Sequence, residues 1–358
     1  MNQTIADQSE PSQQDCRQFA AAPVVDPELT PRASMPASGR VFRIFVSIAF
    51  AFATLQFLRS YFIVNQPYLD AGRYEAGVEK TPYQSRILMA VIMRYARGNA
   101  LMERIASRLG PPLHEPDVVA LLMVGLLSMV LIAVVVRAFY RHLSPYGRLS
   151  SMPYFLVLWM ASATYIVRFQ EAIYFPYDLL AAALFTLCIY LCYRRRYLLL
   201  IPVFAIACFN RETIVMIIPL VVINHFLPAD GTRSSASRWK EIVVAAVMLA
   251  IWTPVYFYLK HLYAGNQTDL GLHDNLHFLF SPQIWPQILS ACGFLIPVPL
   301  LFRRLIPNRR LRFYTLLIPA WIVIMSVVGL LPESRIFGEL IGFLAVLCTV
   351  VFEQSLNG

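Results

Sequence analysis

The sequence predicts an all-α, polytopic membrane protein of about ten transmembrane helices. Three observations lead there. Hydrophobic residues make up 58% of the 358 residues and charged ones 14%, where soluble domains carry roughly 45–50% and 25%. Apolar runs recur from residue 41 almost to the C-terminus. Basic residues fall in short clusters between those runs, so the net charge of +9 is a topology signal and not a nucleic-acid footprint.

Residues 1–40, rich in Ser, Pro, Gln and Ala and without an apolar run suited to a signal peptide, read as a disordered cytoplasmic tail. Residues 41–358 read as one transmembrane domain, with spans at 42–64, 117–136, 152–167, 173–192, 197–209, 214–227, 242–260, 284–301, 313–331 and 337–352. Alternate loops hold Arg137, Arg141 and Arg148; Arg194 to Arg196; Arg233, Arg238 and Lys240; and Arg303, Arg304, Arg309, Arg310 and Arg312. The positive-inside rule makes these loops, and both termini, cytoplasmic. Residues 197–227 read as one helix would be about 46 Å long against a hydrocarbon core of about 30 Å, so two short spans with a tight external turn fit better.

That turn is "NRET", Asn210 to Thr213 inside an apolar stretch. The same topology puts "NQPYLDAGRYEAGVEKTPYQSRIL", "RFQEAIYFPYD" and "PESRIFGE" outside. Outside the tail, most acidic residues lie on this face, where the chemistry is therefore expected. The first external loop, 65–116, contains a helix from Arg86 to Leu109 with arginines along one side and apolar residues along the other, the pattern of a helix lying in the headgroup region. Gly98 is positioned to break it in two. Five cysteines lie inside apolar runs and Cys16 in the tail, with no disulfide framework or zinc spacing. Nucleotide-binding and metalloprotease motifs do not occur.

Charged groups near a bilayer centre are costly, so Arg211 and Glu212 need partners, and Arg168, Glu171, Asp178, Glu333 and Arg335 lie on the same side. Together they read as an outward-facing polar pocket or as a salt network holding helix ends. Asp70 is placed to act as a general base, or belongs to a solvated loop. Glu171 and Asp178 could meet it to orient an acceptor or hold a divalent cation, Mg or Mn; no tight acidic pair marks a metal site. Gln84, Arg86 and Asn210 complete the candidate binding residues. Guanidinium groups suit phosphate because their planar fork makes two charge-assisted hydrogen bonds at once. His261, His273 and His277 with Asp269 and Asp274 read as a solvated loop rather than a metal site.

In "YLDAGRYEAG", "PYQSRILM", "EAIYFPYD", "NRET" and "PESR", over a polytopic architecture spanning 42–352, the chain resembles the GT-C superfamily of membrane glycosyltransferases. The resemblance implies a GT-C-like fold with an interfacial helix in the first external loop. It also implies inverting transfer of a sugar from a polyprenyl-phosphate donor to a glycan, lipid or protein acceptor, on the extracytoplasmic face of a bacterial inner membrane. Asp70 matches the first-loop acid, and Glu171 or Asp178 a second one. The adjacent acidic pair or acid-x-acid motif of many members is missing. A Wzy-like polysaccharide polymerase and a transporter or flippase of a lipid-linked or anionic substrate are the alternatives. The expected partners are the lipid-linked sugar and the bilayer, without nucleic acid.

Overall fold

A computed structural model describes residues 37–111, 113–145, 147–167, 173–227, 235–268, 281–283, 285–329 and 333–357. The chain forms two units, Met1–Phe45 and Val46–Gly358. Of the first, the described residues are the opening turns of helix α1 (Ala37–Arg59). The second holds the core and is mostly helical.

A π-helical turn, Ser60–Val64, extends α1 into the first loop. There a two-residue strand, β1 (Gln66–Pro67), pairs in parallel with β2 (Ile173–Tyr174), tying this loop to the segment just ahead of Asp178. Helix α2 (Ala71–Ala76) starts at Asp70, whose carboxylate accepts from the Arg73 N–H, and stops at Gly77, which adopts φ +83°, a conformation glycine alone enters freely. The helix expected from Arg86 to Leu109 is present in two pieces, α3 (Ile87–Arg97) and α4 (Ala100–Leu109). The break falls at Gly98, and the Asn99 side chain caps α4 by accepting from the N–H groups of Leu101 and Met102. Met89, Ala90, Met93 and Ala96 of α3 are buried, whereas Val91 and Tyr95 are exposed. The helix therefore rests on the bundle and leaves an apolar side free.

The bundle continues through α5 (Pro116–Leu143), α6 (Met152–Tyr165), α7 (Asp178–Tyr193), α8 (Tyr197–Cys208), α9 (Ile217–Phe226) and α10 (Ser235–Leu262). Short pieces follow, α11 (Trp285–Ser290), α12 (Val298–Leu301) and α13 (Arg309–Tyr314), then α14 (Leu317–Val328) and α15 (Ile341–Asn357).

Among the described residues, five helices are long and apolar enough to cross a membrane, over Ile44–Val64, Pro116–Leu143, Trp239–Leu262, Arg309–Val327 and Ser334–Asn357. The sequence reading placed ten spans, and the other five correspond to shorter helices. Helix α7 has 16 residues, about 24 Å at 1.5 Å per residue, and α6, α8 and α9 are shorter still, against a core of about 30 Å. The expected span at 284–301 is interrupted by a turn, Ala291–Phe294, in which Cys292 and Gly293 take φ of 53° and 64°. Those left-handed residues turn the chain where unbroken hydropathy suggests continuity.

The segment Ser334–Asn357 is the centre of the fold, with 94% of its apolar window buried inside the protein. Helix α15 packs against α5, α6 and α7. Gly342 makes this possible, because a Cβ there would collide with the Thr186 side chain of α7; small residues permit such close approach.

The polar residues separate to two ends of the bundle. Residues 61–65, 83–86, 165, 174–178, 210–213 and 333–339 meet at one end, as the hydrogen bonds and ion pairs among them establish. At the other end Arg148 donates its N–H to Glu353, Arg195 donates to the carbonyls of Asn224 and Leu227, and the Tyr314 hydroxyl donates to Asn224. Arg141, Arg194 to Arg196 and Arg309 to Arg312 lie at helix ends of this second face.

Candidate functional site

The first end holds a buried ionic cluster gathered from four segments distant in sequence. Asp178 opens α7 and is fully buried, at 0% exposure. The Tyr61 hydroxyl donates to its Oδ2 at 3.1 Å, while Arg211 Nη1 and Arg335 Nη1 flank Oδ1 at 3.6 and 3.8 Å. Arg211 sits in extended conformation between α8 and the 3-10 turn Glu212–Met216, and its Nε reaches Glu339 Oε1 at 2.9 Å. The Thr213 hydroxyl donates to the same carboxylate at 2.8 Å. Arg335 also pairs with Glu333 at 2.7 Å, and its guanidinium lies 3.4 Å from the centre of the Phe175 ring. Arg335 and Glu339 stand four apart in the 3-10 segment Ser334–Leu340 that leads into the central helix.

Arg86 forms the neighbouring part. Its Nη2 and Nε donate to Glu212 at 2.9 and 3.4 Å, and Nη1 donates to the Tyr177 hydroxyl at 2.8 Å. The guanidinium stacks 4.7 Å from the Tyr177 ring centre. Burial opposes the Arg86 charge, but Glu212 and Tyr177 outweigh it and hold the group well above the usual arginine value. The Tyr74 hydroxyl donates to the Arg86 carbonyl, and the Trp252 indole N–H donates to that of Glu212 at 3.0 Å.

Three guanidinium groups thus face four carboxylates in one place. The pairs are incomplete as hydrogen bonds, since Asp178 Oδ1, Arg211 Nη1 and the Nε and Nη1 of Arg335 are buried without a hydrogen-bond partner. The rim belongs to Glu212 and Glu333, whose side chains are 31% and 21% exposed while those of Arg86, Arg211 and Arg335 are at 7% or less.

Of the other sequence candidates, Gln84 braces the loop, donating to the Tyr74 carbonyl at 3.1 Å and accepting from the Glu79 N–H at 3.0 Å. Asn210 is buried and donates to the Tyr177 carbonyl at 3.3 Å. Asp70 is exposed and caps α2 through Oδ1, 2.8 Å from the Arg73 nitrogen. It lies two residues past Tyr68, whose ring packs 4.8 Å from Phe175, the ring that carries Arg335. Arg168 and Glu171 fall outside the described residues, as do His273, His277, Asp269 and Asp274; His261 is exposed at the end of α10. Among the described residues, no group of three or more His, Cys, Asp or Glu side chains could hold a metal ion.

Sequence reasoning missed Glu339, Thr213 and the aromatic residues Tyr61, Tyr83, Phe175 and Tyr177. Glu339 carried the clearest signal, an acid inside the run expected to be the last span and one helical turn from Arg335. The loop beside the cluster has its own ion pairs. Arg97 joins Glu75 and Asp117, each at 3.1 Å, and burial raises the Glu75 carboxyl above the ordinary value, with Arg97 opposing.

The chain matches no family model, no curated protein and no solved structure. Fold and site define it as a mostly helical protein with several helices suited to crossing a membrane and an ionic cluster at one end.

Proposed function

We propose that the protein is a membrane glycosyltransferase that moves a sugar from a polyprenyl-phosphate donor to an acceptor hydroxyl on the extracytoplasmic face. In this reading both termini are cytoplasmic and the arginine-rich end faces the cytosol, as the basic loops require. A nucleotide sugar is not supplied on the outer side, so a donor delivered in the bilayer suits a site at the ends of membrane helices.

One observation carries the proposal. Arg86, Arg211 and Arg335 converge from separate segments, and Arg211 and Arg335 keep buried N–H groups without a hydrogen-bond partner, donors that a phosphate oxygen would complete. Asp178 and Glu339 have a positioning role, because they hold Arg211 and Arg335 in place. Asp70 takes the part of general base: it is exposed, its Oδ2 is not used in the α2 cap, and the β1–β2 pairing and the Tyr68–Phe175 contact hold its loop against the cluster. Asp70 removes the acceptor hydroxyl proton as the oxygen attacks the anomeric carbon. The bond from that carbon to the phosphate oxygen breaks with inversion, and the departing phosphate keeps its electron pair and its charge, which the guanidinium groups stabilise.

The test is deletion of the gene followed by mass spectrometry of polyprenyl-linked sugars and surface glycans. A transferase leaves its lipid-linked donor accumulated and one glycan short of a sugar, restored by the wild-type gene and not by Asp70→Asn. Shortened polymers with intact repeat units would instead indicate a polymerase. Unchanged glycans with a lipid-linked or anionic solute trapped on one side would indicate a transporter.

A further inference from the structure

A groove of about 530 Å³ runs along the outside of the second unit between α1, α5 and α6, lined by Ser47, Phe50, Val130, Ala133, Val134, Arg137, Ala138, Arg141 and Tyr154. Its floor is apolar and climbs α5 for about 16 Å from Val130 to Arg141. The Phe50 and Tyr154 rings, 5.4 Å apart, close one wall. Arg137 and Arg141 stand one helical turn apart at the arginine-rich end, and among the described residues neither has an ion pair or hydrogen bond. Val134, on the same face, is 59% exposed.

We propose that this groove is a binding site for a bilayer phospholipid with an anionic headgroup, its acyl chain along Val130, Ala133 and Val134 and its phosphate between Arg137 and Arg141. Charge complementarity selects this occupant. An apolar slot on a membrane-crossing helix is filled by acyl chain, and two unpaired guanidinium groups at its mouth lie at headgroup depth. A zwitterionic lipid satisfies the slot but brings its own cation to the arginines. The site is separate from the ionic cluster at the opposite end, and its test does not depend on the proposed transfer reaction.

The experiment uses the full chain purified from membranes, with native mass spectrometry of retained lipids and thermal unfolding in bilayer discs of phosphatidylcholine with or without phosphatidylglycerol. The wild-type protein is expected to retain phosphatidylglycerol and to melt higher in its presence. The double variant Arg137→Gln, Arg141→Gln should lose that preference by roughly ten- to thirtyfold, and Val134→Trp, which fills the slot and leaves both arginines, should lose it as well. Equal retention by the arginine variant overturns the site. Full retention by Val134→Trp overturns the groove and leaves only a basic surface. Recovery of a polyprenyl phosphate in place of phospholipid assigns the groove to another ligand and also overturns the proposal. Arg309→Gln with Arg310→Gln, in a second cleft lined also by His142, Tyr193 and Glu353, serves as a charge-matched control expected to retain the lipid.

Discussion

Arg211 and Glu339 meet at 2.9 Å between the turn after α8 and the entry to the central helix, with only 5% and 2% of their side chains exposed. Removing one member of such a pair leaves the other charged and buried, which costs about 3–5 kcal/mol. Glu339→Gln and Arg211→Met are each expected to lower the thermal midpoint in detergent sharply. The double variant Arg211→Met, Glu339→Met should recover most of the loss, and a midpoint no better than the single variants would show that the pair contributes more than mutual compensation.

Arg86→Lys keeps a positive charge and removes the planar fork that spans Glu212 and stacks on Tyr177. Lysine cannot reproduce two parallel donors, so donor affinity is expected to fall roughly tenfold or more. Protein yield should stay close to wild type. Equilibrium binding of a polyprenyl-phosphate analogue reads the effect directly, and unchanged affinity would reduce Arg86 to a brace for the loop.

Asp70 has two separable tasks. Asparagine can still cap α2, whereas alanine cannot, and losing the cap costs about 1 kcal/mol. Asp70→Ala is therefore expected to be slightly less stable than Asp70→Asn, while both lose sugar transfer by roughly a hundredfold or more if the carboxylate is the base. Full turnover by Asp70→Asn would leave the residue with the cap alone.

Glu75 gives the first loop a pH dependence. Its carboxyl is raised by burial, so its protonated form is favoured in the folded chain. The resulting contribution to stability is present below the ordinary carboxyl value and is lost as pH rises through the raised one. Glu75→Gln should flatten this part of the stability profile and be at least as stable as wild type at neutral pH. Thermal midpoints across mildly acidic to neutral pH test it; a Gln variant that falls further than wild type at neutral pH would mean that the Arg97 ion pair dominates.

Much of the site was legible because ionic residues inside apolar sequence are so costly that each one needs a reason. That argument brought out Arg211, Glu212, Asp178 and Arg335, and the structure joins all four to one cluster. The break at Gly98 was legible for a similarly local cause, since glycine and the following asparagine favour a new helix start. Span lengths were not. Hydropathy runs on through the left-handed turn at Cys292 and Gly293, and it cannot separate the 16-residue α7, enclosed by protein, from a helix that crosses lipid. Glu339 stood at the seam between the external PESRIFGE cluster and the expected last span, and its value lies in a contact made by Arg211 from a distant segment.

The near-total enclosure of Ser334–Asn357 has a consequence for biogenesis. Helices α5, α6 and α7, which surround it, all leave the ribosome earlier, so they must hold an open slot until this segment arrives with Arg335 and Glu339 at its leading end. A chain cut before residue 334 would expose that slot to lipid with Asp178 and Arg211 short of their partners, and quality-control proteases would be expected to remove it.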